Sequence, residues 1–279
     1  MRPRPGVVKP APTIPALSAL AVYTDLFRYR ELFSNLFRRE LQVRYKGSLL
    51  GVAWSLANPL VLMGIYVLVF STLWHASTVD HYALYLLSGL AVWIFFATSV
   101  GSAARSMVDS SELIKKVRFP RQLVAFSVVG TQLVTFVVML AVLFVLNLAL
   151  LPRTRGTIWL AIPLAALIVA LVAGLALAVA SANVVFRDVE HLVGALLLPW
   201  FFLTPILYRF EQFHHRTLTD FLRYANFVTP PVSALRDPLF FGRMPRPVDV
   251  VYLLVAAAAS LALGAFVFSR VDDRIAVEL

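Results

Sequence analysis

Two carboxylates, Asp188 and Glu190, are the residues of this sequence best suited to acid–base chemistry. They fall in a short polar run between two long apolar segments, where an enzyme embedded in a membrane would place its general acid and base. Such an enzyme, for example a lipid glycosyl- or acyltransferase, also needs a cavity beside them. Ser, His and Asp residues form no recognisable nucleophile motif. The sequence therefore assigns no catalytic residue and leaves a membrane-embedded transferase as an alternative function.

The sequence offers little for metal or nucleotide chemistry. It contains no cysteine, which excludes thiol nucleophiles and cysteine-ligated zinc. His214 and His215 are adjacent, which is poor spacing for two ligands on one helical face. A phosphate-binding loop of the GxxxxGK(S/T) type is missing, since Gly47 follows Lys46 in a different pattern. We therefore expect no metal and no cofactor in this chain, and any ATP would be hydrolysed by another polypeptide.

The composition is that of a membrane protein. Of the 279 residues, 60% are hydrophobic and only 14% are charged, whereas a soluble domain has about 45–50% apolar and about 25% charged residues. The net charge of +10 would suggest nucleic acid on a soluble protein. On a membrane protein, Lys and Arg accumulate in cytoplasmic loops, so no nucleic-acid partner is expected.

Six segments are apolar and long enough to cross a bilayer, which takes about 20 residues of helix. They are residues 49–74, 84–104, 122–150, 158–182, 192–208 and 250–269. The predicted fold class is an all-α integral membrane protein with six transmembrane helices, and Gly174 would allow a close helix contact in the fourth. None of the six contains an ionisable Asp, Glu, Lys, Arg or His. Proton- and sodium-coupled transporters place such groups at mid-membrane, so energy for transport would come from elsewhere.

The distribution of positive charge predicts the orientation. Of the 25 Lys and Arg residues, 17 lie in the N-terminal segment, the 105–121 loop, the turn at Arg187 and the C-terminal end. This excess places both termini in the cytoplasm. The outer loop, residues 209–249, is rich in aromatic residues and is expected to form two short helices. These are either re-entrant or lid helices, or they pack against the bundle.

Three regions divide the chain. Residues 1–24 are basic and proline-rich and lack the apolar core of a signal peptide, so we predict a disordered tail. Residues 25–45 are predicted to form an amphipathic interface helix, and residues 46–279 the transmembrane domain. A solvated linker helix is the alternative for the second region. The predicted apolar face carries Leu26, Tyr29, Phe33, Leu36 and Phe37, and the polar face Arg28, Glu31, Asn35, Arg38 and Arg39.

The cytoplasmic loop 105–121 has the pattern of a short helix. Ser110 or Ser111 can cap it, and Glu112 near its start and Lys115 near its end match the helix dipole. Pro120 would then end it. Such a helix suits docking to a soluble partner, although the same charges also arise in a loop that only fixes the topology.

Five motifs, in order and at the right spacing, carry a resemblance to one family. They are RRELQVRYKGSLLGVAWSLANPLVLMGIYVLVFSTLW (38–74), SSELIKKVRFPRQLV (110–124), FRDVEH (186–191), LPWFFLTPILY (198–208) and YANFVTPPVSALRDPLF (224–240). From Leu26 to its C-terminus the sequence resembles permeases of the ABC type 2 exporters that transport lipid-linked O-antigen and related polysaccharides. Teichoic-acid and capsule permeases are relatives.

The resemblance implies a transport subunit rather than an enzyme. Two copies would form a homodimeric pore in the inner membrane of a bacterium, and two ABC ATPase subunits that bind ATP and Mg would dock beneath it. The substrate would be a polyprenyl-linked polysaccharide. By resemblance, the interface helix would brace the ATPase through Phe33, Phe37, Arg38, Arg39 and Arg44. Coupling would fall on the 112–119 helix, with Glu112, Leu113, Ile114, Lys115, Lys116, Val117, Arg118 and Phe119.

Aromatic residues are the candidates for the substrate path. A sugar polymer has C–H faces that slide over aromatic rings, and binding must be weak and multi-site for the chain to keep moving. The candidates are Tyr66, Trp93, Phe95, Phe96, Trp200, Phe201, Phe202 and Tyr208. Each could instead pack in the core or face lipid. A teichoic-acid, capsule, drug or lipid exporter of the same superfamily is an alternative, and a structural scaffold is a further one.

Overall fold

The computed structural model describes residues 19–46, 54–69, 80–117, 119–209 and 216–278. Within these ranges the chain is helical and has no strand, which confirms the all-α fold class. A π-helical turn, Asp237–Phe241, extends the tenth helix. The α-helices of the described ranges are α1 (Ala19–Arg28), α2 (Arg30–Tyr45), α3 (Trp54–Val67), α4 (Tyr82–Asp109), α5 (Ser111–Lys116), α6 (Gln122–Leu150), α7 (Ala161–Val185), α8 (Asp188–Leu203), α9 (Arg216–Ala225), α10 (Thr229–Arg236) and α11 (Pro247–Glu278).

Four helical segments of the described chain are long and apolar enough to span a membrane. They coincide with the predicted second, third, fourth and sixth spans, so the chain is an integral membrane protein. Their bounds are Tyr82–Asp109, Gln122–Leu150, Ile158–Val185 and Pro247–Asp272.

The other two predicted spans are shorter as helices. Residues 49–53 and 70–74 lie outside the described ranges, and α3 between them has 14 residues with Pro59 inside it. α8 has 16 residues, begins at Asp188 instead of 192 and ends at Leu203 instead of 208. It ends early because Pro205 disfavours the helical conformation of Thr204, which is extended. The count of six spans stays a prediction for these two.

The N-terminal region is two helices rather than one. The first helix begins at Ala19, before the predicted boundary at residue 25. The helical conformation is interrupted at Tyr29, and the second helix begins at Arg30. The two halves pack on different helices: Tyr23 of α1 donates from its hydroxyl to the Leu261 carbonyl of α11 at 2.6 Å, whereas Leu36 of α2 is buried where α2 packs on α6. Residues 1–18 of the predicted tail lie outside the described ranges.

The helices α7 and α11 pack on each other, and their backbones are in contact where Gly174 meets Gly264. A Cβ atom added to Gly174 would lie 2.4 Å from the carbonyl carbon of Ser260, and one added to Gly264 would lie 2.4 Å from the carbonyl oxygen of Gly174. Only glycine permits this approach, which confirms the predicted role of Gly174.

The connecting segments gather at two ends of the bundle. At one end, the outer end in the predicted orientation, Asn147 Nδ2 of α6 donates to the Leu239 carbonyl at 2.7 Å, and Thr157 Oγ1 donates to the Pro238 carbonyl at 3.0 Å and joins the 151–160 turn to the 209–249 loop. At the inner end, Gln122 Nε2 donates to Asp25 Oδ2 at 3.0 Å and joins α6 to α1.

The outer loop contains the two short helices that the sequence predicts, α9 and α10. The side chains of α10 are buried at Thr229, Pro230, Pro231 and Val232. Of the alternatives left open by the sequence, α10 therefore packs into the bundle.

Candidate transport and coupling sites

Most of the predicted path residues form one aromatic cluster where α3, α4 and α8 meet. Adjacent ring centroids in this cluster are 5.3 to 5.8 Å apart. On α4, Trp93 and Phe96 are almost fully buried, whereas Phe202 on α8 is 56% exposed. The cluster is thus closed on the α4 side and open on the α8 side. Its members, in order of contact, are Tyr66, Phe201, Trp93, Phe96 and Trp200, with Phe202 attached to Phe201.

The remaining two predicted path residues lie elsewhere. Phe95 stacks on Phe136 of α6 with centroids 4.7 Å apart and is 2% exposed. Because Phe95 and Phe96 are neighbours on a helix, their side chains point about 100° apart and cannot share a face. Phe95 therefore packs against α6, apart from the aromatic cluster, and its assignment to the path stays a prediction. Tyr208 lies at the outer end, where its hydroxyl donates to the Phe202 carbonyl at 3.0 Å.

Sequence reasoning missed Asn226, which ties this cluster to the outer helices. Trp200 Nε1 donates to Asn226 Oδ1 at 2.8 Å, and Asn226 Nδ2 donates to Thr204 Oγ1 at 2.9 Å. The same Oδ1 accepts the Val228 backbone N–H at 3.1 Å. The ring of Phe227 packs against Trp200 with centroids 4.8 Å apart. A single Asn in a loop is typical of a turn, so nothing in the local sequence indicates that Asn226 contacts Trp200 and Thr204.

The helix α2 buries and exposes the two faces that the sequence predicts. Phe33 and Phe37 pack over Gly130 of α6, and Tyr29, at the break, is the one predicted apolar residue that is 38% exposed. Near its C-terminal end, Arg44 Nη1 donates to Gln132 Oε1 at 2.6 Å. The exposed face of α2 presents Glu31, Asn35, Arg38 and Arg39, and Arg28, the last residue of α1, is exposed as well.

A cavity of about 580 Å³ lies at the inner end between α2, α4 and α6. Its charged lining residues are Glu40, Arg44, Arg105 and Asp109, and the rest of the wall combines hydroxyl side chains of α4 and α6 with apolar residues such as Val43 and Val128. The two acidic and two basic residues balance, so the lining has no net charge.

The helix α5 is shorter than predicted. It covers Ser111–Lys116, and Val117 is already extended, with φ −126° and ψ 135°. Pro120 disfavours helix at the residue before it, so the helix cannot continue to Phe119. Ser110 is the N-cap residue, but its side chain makes no capping hydrogen bond, so that part of the capping prediction is wrong.

The exposed surface of α5 is charged. Ile114 is buried and anchors the helix, while Glu112, Lys115 and Lys116 are exposed. Lys116 Nζ lies 2.6 Å from Glu112 Oε2. Val117 is exposed beside them, Leu113 and Phe119 are partly buried, and Arg118 lies outside the described residues.

The carboxylates considered for acid–base chemistry serve local structure. The Glu190 backbone N–H donates to Asn183 Oδ1 at 3.0 Å, and its carboxylate lies 3.7 Å from Arg105 Nη2. Asp188 is exposed, and neither carboxylate lines the inner cavity. Within the part of the chain that the structure describes, no group of acidic residues and histidines could hold a metal ion.

Comparison with known proteins identifies the family of the chain. Residues 31–240 match the family described as ABC-2 type transporter. The chain belongs to the ABC-2 type transporter family. It is 34% identical over 242 residues to the O-antigen export system permease protein RfbA of Myxococcus xanthus, covering 86% of this chain and 90% of that protein. It is 33% identical over 183 residues to the protein of the same name from Klebsiella pneumoniae, covering 64% of this chain and 69% of that one.

Membership of this family makes the chain a transport permease and not an enzyme. With four apolar helices long enough to span a bilayer and bacterial relatives that are export permeases, it is a multi-pass protein of the bacterial inner membrane.

Proposed function

We propose that the chain is the permease subunit of an ATP-driven exporter for a lipid-linked polysaccharide of the O-antigen type. The observation that carries the proposal is the 34% identity to the Myxococcus xanthus permease across 90% of its length. The aromatic cluster of α3, α4 and α8 fits such a substrate, because stacked rings hold sugar faces weakly at several points. The open side of the cluster, at Phe202, is accessible to a glycan.

The energy would come from a second polypeptide. Two copies of the permease would form the pore, and two ABC ATPase subunits would bind ATP and Mg beneath them. The exposed charges of α5 and the basic face of α2 support docking at the inner end, because both are accessible and lie beside the spans.

Reconstitution in liposomes tests this function. The permease is inserted alone or with a phosphate-loop ATPase that copurifies with it, and radiolabelled polyprenyl-linked polysaccharide is supplied on the ATPase side. We expect the glycan to reach the opposite side only when both subunits and ATP are present. Transport without nucleotide, or purified permease that binds no ATPase, would contradict the proposal.

The same assay separates the transferase alternative. The Asp188→Ala/Glu190→Ala variant removes both candidate carboxylates, and we expect it to transport glycan at the unmodified rate. Transport at the unmodified rate would leave the transferase alternative without these catalytic groups, whereas loss of transport by the folded variant would give the two carboxylates a role in transport.

A further inference from the structure

Four arginines of the outer end converge on one small cavity. Arg209, Arg223, Arg236 and Arg243 line a space of about 40 Å³, and the lining carries one carboxylate, Asp237. Guanidinium groups that share one small cavity repel one another because they carry the same charge. A cavity lined by four positive side chains and one negative side chain is therefore suited to an anion.

Two of these arginines are held in position by carboxylates. Arg243 donates from Nε and Nη2 to Asp237 Oδ1 at 2.9 and 2.7 Å. Arg223 donates from Nη2 to Asp249 Oδ2 at 2.9 Å, and the Asp249 side chain is fully buried. These pairs fix the direction of each guanidinium group before any ligand arrives.

Arg236 forms the frame of the cavity. It is 5% exposed, and its Nη1 donates to the Tyr85 hydroxyl and to the Pro205 carbonyl, both at 2.9 Å. Its guanidinium carbon lies 3.9 Å from the Tyr85 ring centroid. Arg236 thereby fastens α10 to α4 and to the segment that follows α8.

Two polar atoms beside the cavity, Arg223 Nε and Asp237 Oδ2, are buried without a hydrogen-bond partner among the described residues. The Arg223 side chain is 12% exposed and Asp237 is 3% exposed. Because these two atoms have almost no exposed surface, a ligand in the cavity would contact the other nitrogens of the guanidinium groups.

We infer that this cavity binds a phosphate ester, and that its occupant is the diphosphate of the lipid-linked glycan after it has crossed the membrane. Phosphate oxygens match the planar fork of a guanidinium group, which makes arginine a preferred partner. The identity of the occupant rests on the proposed function, whereas the phosphate chemistry rests on the cavity alone.

The cavity adjoins the aromatic cluster. Tyr208 lines the cavity, and its hydroxyl bonds the carbonyl of Phe202, the exposed ring of the cluster. A glycan that moves along the rings therefore ends with its lipid diphosphate beside the arginines.

Lipid binding to the purified full-length permease, measured by native mass spectrometry in detergent, tests the inference. The probes are a polyprenyl diphosphate, the polyprenol of equal chain length, and phosphatidylglycerol. We expect the diphosphate to bind about tenfold or more tightly than the polyprenol, and Arg209→Gln and Arg243→Gln each to weaken it about tenfold. Arg155→Gln is the matched control, because Arg155 lies at the outer end but does not line the cavity.

Thermal unfolding is measured on each variant, so that if one fails to fold the other decides. If both folded variants bind the diphosphate as tightly as the unmodified protein, the inference is overturned. Equal affinity for phosphatidylglycerol, weakened equally by both variants, supports the phosphate site and assigns it to a membrane lipid. Retained diphosphate binding with failed transport in liposomes counts against the proposed function alone.

Discussion

At the residue scale, the side chain of Asn226 joins three partners at the end of the aromatic cluster. One amide side chain receives the indole N–H of Trp200, donates to Thr204 and caps the backbone at Val228. These partners come from the end of α8 and from the loop before α10. The local sequence contains no periodicity that would bring them together, so the residue could only be found in three dimensions.

We expect Asn226→Ala to lower the free energy of unfolding by about 1–3 kcal/mol, because the buried indole N–H of Trp200 loses its acceptor. Thermal unfolding in detergent measures the change. Asn35→Ala is the control, since Asn35 is exposed on α2 and its loss should leave the melting temperature unchanged. Equal melting of the two variants would show that the amide network carries no stability.

Mutation can distinguish an aromatic residue that stabilises the fold, Phe95, from one that is expected to contact the glycan, Phe202. Phe95→Ala removes a ring that is 2% exposed and stacked on Phe136, and we expect a cost of about 3–5 kcal/mol in stability. Phe202→Ala removes a ring that is 56% exposed, so stability should hold while glycan transport slows. Unfolding and liposome transport are measured on both variants. Normal transport by folded Phe202→Ala would remove this residue from the path.

At the element scale, the charged residues of α5 allow docking to the ATPase to be tested without disturbing the fold. The Lys116–Glu112 ion pair is exposed, and such pairs contribute about 1 kcal/mol or less. The Lys115→Glu/Lys116→Glu variant should therefore fold normally but lose permease-dependent stimulation of the ATPase. Arg155→Glu, a charge reversal at the outer end, is the control and should stimulate fully. If the α5 variant stimulates as well as the control, α5 is not the coupling element.

The α7–α11 contact is equally testable. In Gly174→Ala the new methyl group meets the Ser260 backbone, which cannot move aside as a side chain would, so we expect a loss of about 1–3 kcal/mol in stability. Gly194→Ala on α8 is the control, because nothing lies within 4 Å of the added atom. Thermal unfolding compares them, and identical melting would show that the two helices can separate without cost.

The sequence predicts the long elements better than the short ones. Apolar runs such as 122–150 exceed a bilayer's thickness and need no tertiary context, and α6 has those bounds. The ends of α5 and α8 depend on prolines whose effect is local but not periodic. The pairing of Arg236 with Tyr85 joins residues far apart in the chain. Composition shows that outer arginines exist but not that four of them meet.

At the scale of the whole molecule, the natural absence of cysteine allows the orientation to be tested directly. In intact cells, we expect Arg155→Cys to react with a membrane-impermeant maleimide, because the outer end faces away from the cytoplasm. Lys115→Cys should react only after the membrane is opened. The reverse pattern would invert the predicted topology.

The glycine contact between α7 and α11 also limits how the protein can move. Where the two backbones touch, at Gly174 and Gly264, no side chains lie between them that could re-pack, so we expect the two helices to move together. An opening wide enough for a polymer would then form by displacement of α3 and α8, the short proline-containing helices that carry part of the aromatic cluster. In this view α7 and α11 would stay fixed relative to each other during transport, while α3 and α8 would move.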